Sequence, residues 1–137
     1  MPDWDVNYVA ILVATIAAMI IGFVWYLPAV AGKAWLAAIG KTEAEMRAAG
    51  KPSIYIAAVV VALVQMTVLA AVLGWAGVAG IQDGIIAGLL VWLLVFATVA
   101  MNVLFEGCSN SLYWVYGGNS LVTFVIAGAV IGWWRAM

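Results

Sequence analysis

Residues 85–105 read IIAGLLVWLLVFATVAMNVLF, without one charged side chain. An α-helix rises ~1.5 Å per residue, so about 20 such residues cross a hydrocarbon layer ~30 Å thick. The stretch reads as a membrane-spanning helix. Three others meet the same test, at about 8–27, 54–73 and 112–133. The first carries no charge, and Gln65 is the most polar member of the second. None has a solvated face, which excludes the amphipathic helices of a soluble bundle. The expected fold is all-α: one domain over 1–137, an integral membrane four-helix bundle with a short interfacial helical segment between helices 1 and 2.

Composition agrees. Of 137 residues, 69% are hydrophobic and 8% charged, against ~25% charged in an average soluble domain. There is no His and a single Cys, Cys108. No internal disulfide, metal cage or cofactor site is therefore expected. The net charge of -1 leaves no basic patch for nucleic acid. The expected partners are the lipid bilayer and either a second copy or another membrane protein.

The span ends carry punctuation. Pro28 stands where the first span can stop or kink. Pro52 and Ser53 open the second. Asp83 precedes the third as a candidate cap, and Ser109, Asn110 and Ser111 precede the fourth. Aromatic rings gather at these boundaries, from Trp4 and Tyr8 to Trp133 and Trp134, as expected for the membrane interface. Trp92, well inside the third span, is the exception.

The connection between the first two spans holds Lys33, Lys41, Arg47 and Lys51, whereas the opposite side has only Arg135. This bias places the connection in the cytoplasm and both termini outside. Asp3 and Asp5 precede the first span with no basic residue, which argues against a cleaved secretory signal. Within the connection, Val30, Trp35, Leu36 and Ile39 suit the membrane surface. Thr42 and Glu45 have capping-box spacing, and Gly50 closes a short helix, Glu43–Ala49. Its charges read either as an ordinary solvated face or as a docking surface for a partner or anionic lipid.

Hydrophobicity alone does not pair helices in a bilayer; close packing and polar contacts do. Small residues recur every fourth position at Ala14, Ala18 and Gly22, at Gly84 and Gly88, and at Gly128 and Gly132. They predict close helix approach, either within the chain or across a homodimer seam. Thr98, Asn102 and Glu106 form a polar stripe on the third span. Tyr116, Asn119, Ser120 and Thr123 form another on the fourth. In a hairpin turning near Gly107–Asn110, Asn102 and Tyr116 both lie about 10 Å deep, and Thr98 and Asn119 about 16 Å. A matched ladder is expected, with Gln65 joining it. It reads either as a clamp between helices or as a polar pocket or ion path ending at Glu106.

The stretch Gly22-Phe-Val-Trp25-Tyr26-Leu-Pro28, followed by Gly32-Lys33-Ala-Trp35, resembles the first block of a bacterial membrane family described as domain of unknown function 1761. Asn102-Val-Leu-Phe105-Glu106-Gly107 resembles its second block. A basic residue often follows that block in the family, and Cys108 stands there instead. The resemblance implies a four-span fold over nearly the whole chain and a bacterial inner-membrane address. It implies no activity, substrate or cofactor.

Two functions fit. One is a non-enzymatic protein acting by association, as a scaffold or accessory subunit. The other is a small homo-oligomeric transporter or channel using a pocket around Asn102 and Glu106. An enzyme ranks last, for want of His, an acidic pair or a metal constellation.

Overall fold

The computed structural model describes residues 6–137. The boundary aromatic Trp4 and the acidic pair Asp3 and Asp5 lie outside the described residues. The chain forms α1 (Tyr8–Trp25), a π-helical turn (Pro28–Gly32), α2 (Lys33–Ile39), α3 (Glu43–Ala49), α4 (Pro52–Trp75), α5 (Ile81–Glu106) and α6 (Ser111–Ala136). Helices α1, α4, α5 and α6 are long and apolar enough to cross a bilayer. The protein is thus an all-helical, multi-pass membrane bundle, with two short helices between its first two spans.

Helix ends follow local chemistry. Asn7 caps α1, its Oδ1 accepting from the Ala10 N–H at 3.0 Å. Pro28 opens the π-helical turn, in which the Gly32 N–H reaches back five residues to Leu27 O at 3.0 Å. A side chain at Gly32 would overlap the Tyr26 and Leu27 backbone, so only glycine permits this tight corner. Thr42 accepts from the Glu45 N–H at 3.2 Å, so the expected cap of Glu43–Ala49 is formed. Pro52 occupies the first turn of α4, but its cap position is Lys51 rather than Ser53. Asp83 is not the cap of α5. That helix starts two residues earlier, at Ile81, and Asp83 lies in its first turn, where an acidic side chain still favours the positive helix end. At α6, the Ser109 hydroxyl accepts from the Ser111 N–H.

The last helix is the hub. α6 packs along α5, along α1 and against α2 and α4. The buried core lies among α1, α4 and α6, where Ile11 and Ala14 meet Met66, Leu73, Ala127 and Ile131. Helix α5 docks on α6 alone among the spans to any comparable extent. There the small residues pair with each other: Gly84 lies against Gly128, and Gly132 against Gly80 and Gly84. The backbones come close enough for the Gly80 N–H to donate to Gly132 O at 2.8 Å. Of the two readings of these glycines, the structure takes the intramolecular one. In the α1 stripe, Ala14 is fully buried, whereas Gly22 faces open space.

Candidate functional site

The seam on α5 runs by fours through Gly80, Gly84, Gly88, Trp92 and Phe96. This row packs into α6 as the glycines set its direction. The polar stripe belongs to a different row. Leu90, Leu94, Thr98, Asn102 and Glu106 are also spaced by four, and Leu90 and Leu94 are 66% and 72% exposed. Thr98, Asn102 and Glu106 are exposed with them, while neighbouring Val103 is buried. The expected ladder is therefore corrected. Among the described residues, no hydrogen bond joins this stripe to α6. Equal depth does not make two residues face each other; the direction of the seam decides that, and the glycines fix it.

Each polar group is accounted for separately. The Thr98 hydroxyl donates to Leu94 O in its own helix at 3.1 Å. Thr123 and Ser120 likewise donate to carbonyls one turn back, Asn119 O and Tyr116 O. Gln65 lines an apolar groove of about 290 Å³ between α4 and α5, beside Val68, Val91 and Val95, away from Asn102 and Glu106. Tyr116 and Asn119 are half-buried on α6, and the Asn119 Oδ1 is buried without a hydrogen-bond partner. The six candidates thus do not form one pocket.

Two indoles donate to carbonyls of α6, one from α1 and one from α5. Trp25 Nε1 donates to Val115 O at 2.8 Å, and Trp92 Nε1 donates to Gly117 O at 3.0 Å. Gly117 leaves room for the Phe96 ring and Gly118 for the Trp25 ring. The Trp92 and Phe96 rings stack at 5.2 Å. A buried indole N–H needs an acceptor, and this explains a tryptophan placed far from the interface. Spacing alone did not reveal this role; the Gly117–Gly118 pair opposite it was the available signal.

At the α5–α6 turn, Gly107 adopts φ 66°, closing α5. The Cys108 thiol donates to Glu106 Oε2 at 3.6 Å. Loss of hydration, then this bond and the Glu106 charge, holds the thiol above its ordinary pKa.

A cavity of about 570 Å³ lies at the same end of the bundle, between the end of α1, the start of α4 and the two short helices. Tyr26 and Trp35 meet edge to face at 4.9 Å beside it. Glu43 and Arg47 form an exposed ion pair of 2.8 Å on α3 at its edge.

No curated protein and no solved structure matches the chain significantly. A family match covers residues 9–132 and spans both blocks described above, from the Trp25–Trp35 corner to the end of α5. The chain therefore belongs to the family described as protein of unknown function (DUF1761).

Proposed function

We propose that the chain is a small protein of the bacterial cytoplasmic membrane that acts by association, as an accessory or scaffold subunit, and not by catalysis. In this reading the α2–α3 connection is cytoplasmic and both termini are outside. Four basic residues on that connection support the orientation. Arg135, the one basic residue on the other side, donates from Nε to Val78 O at 2.8 Å and so has a structural use there.

The observation that carries the association reading is the outward ridge of α5. A spanning helix held mainly by one neighbour presents Thr98 and Asn102 away from its own bundle. Polar side chains facing hydrocarbon favour contact with another helix, and each interhelical hydrogen bond contributes ~0.6 kcal/mol on average and up to ~1.7. The test is Asn102→Cys in a Cys108→Ser background, labelled with a benzophenone maleimide and irradiated in native membranes, so that the partner needs no thiol. Cross-linking at residue 102 but not at Val61→Cys, an exposed position on α4, is expected. The mass of the product separates a second copy from a different membrane protein. Equal yields at both positions, or none at either, would refute the reading.

The transporter reading has one observation in its favour. The unpartnered Asn119 Oδ1 is a buried acceptor that a water or a passing solute would satisfy. Flux of protons, ions or cationic dyes into proteoliposomes, lost in Asn119→Leu, would favour it over association.

A further inference from the structure

We propose that the cavity beneath α2 and α3 seats one anionic phospholipid of the surrounding bilayer, its acyl chain on the apolar wall and its phosphate beside Arg47. This inference is independent of the α5 ridge. At about 570 Å³ the cavity has the size of a ligand site, which typically runs ~300–1,000 Å³. Its position is more informative than its size. Phe23 and Ile54 come from the ends of spanning helices, whereas Met46 and Arg47 come from α3 outside them. The cavity therefore straddles the boundary between tails and headgroups. A wholly polar ligand has no use for Phe23 and Ile54, and a wholly apolar one none for Arg47.

Charge selects the headgroup. The cavity lining itself carries one cation, Arg47, and one anion, Glu43; the rest of the connection adds Lys33, Lys41 and Lys51 against Glu45, and juxtamembrane basic residues attract anionic lipid. Arg47 shares one terminal nitrogen with Glu43. An exposed pair of this kind is weak, and the planar guanidinium has further donors suited to phosphate. The walls are already in place. Trp35 is held by Tyr26, and the Tyr55 hydroxyl lies against Gly50 at the end of α3.

The test uses the full chain in phosphatidylcholine vesicles, with a small fraction of either phosphatidylglycerol or phosphatidylcholine brominated in its tail, and reads tryptophan quenching. The phosphatidylglycerol probe is expected to quench more, and the excess should disappear in Trp35→Phe. Arg47→Gln should lower the preference about fivefold, the effect of one basic group at a membrane surface. Ala49→Phe, which fills the cavity without changing charge, should also abolish it. Lys41→Gln, outside the cavity lining, should have the smaller effect. Equal quenching by the two probes overturns the proposal. So does a preference that survives Ala49→Phe while falling equally in Arg47→Gln and Lys41→Gln, because that is diffuse surface charge and not a seat.

Discussion

Replacing Gly84 with alanine tests the α5–α6 crossing most directly. The added methyl would overlap the carbonyl oxygen of Gly128 and lie 3.2 Å from the Gly132 Cα. These are backbone atoms, so no rotamer change relieves the clash. Restoring an ordinary C···O approach of ~3.3 Å requires the two backbones to separate by roughly 1 Å. That displacement stretches the 2.8 Å Gly80–Gly132 hydrogen bond beyond useful length. It also forfeits a quarter to a half of the dispersion at each neighbouring contact. Overpacking costs ~1–3 kcal/mol, and the lost interhelical bond adds about 0.6–1.7 kcal/mol. The expected destabilisation is about 2–4 kcal/mol. In a membrane the separated helices keep their backbone bonds, so alanine's higher helix propensity offsets little of this. Reversible unfolding by SDS in mixed micelles, followed by tryptophan fluorescence, measures the change. Gly22→Ala, where nothing lies within 4 Å, is the control and should fall close to the parent. If Gly84→Ala matched Gly22→Ala, the close backbone crossing would be wrong.

Other outcomes follow from the same geometry. Trp92→Phe keeps an aromatic ring but removes the donor to Gly117 O, and should cost about 1 kcal/mol in that unfolding assay. Trp25→Phe should cost a similar ~1 kcal/mol through the bond to Val115 O; no loss in either variant would mean the indole bonds add nothing net. Glu106→Gln removes the negative charge that helps hold the Cys108 thiol protonated. The thiol pKa should fall, the thiolate fraction at mildly alkaline pH should rise, and iodoacetamide should react faster; an unchanged or slower rate contradicts the assigned contact. Arg135→Gln should destabilise the bundle by about 1.5–3 kcal/mol, since a charged donor to Val78 O is lost. Proteolysis of the α4–α5 loop would report the loosening.

The four spans were legible because ~20 uncharged residues in a row have few other uses. The helix Glu43–Ala49 was legible from Thr42, Glu45 and Gly50, whose roles are local. The hairpin turn at Gly107 was legible for the same reason. The pairing of Gly84 and Gly88 with Gly128 and Gly132 was only half legible. Spacing predicts close approach but does not name the partner. The site residues fared worst. Thr98, Asn102 and Glu106 do form one stripe, but which way a stripe faces depends on the crossing of α5 over α6, a tertiary property. The Trp35–Arg47 cavity is not legible in the sequence because its walls come from α1, the π-helical turn, α2, α3 and α4, whose junction is set by the corner at Gly32.

The hub position of α6 constrains how the bundle is assembled. α1 and α4 have a shared face and can meet as soon as both are inserted. α5 has no such neighbour until α6, the last of the four in chain order, arrives. Until the α5–α6 hairpin closes, the glycines of α5 have no surface of comparable extent to pack on. Closure of that hairpin is therefore the step that completes the bundle.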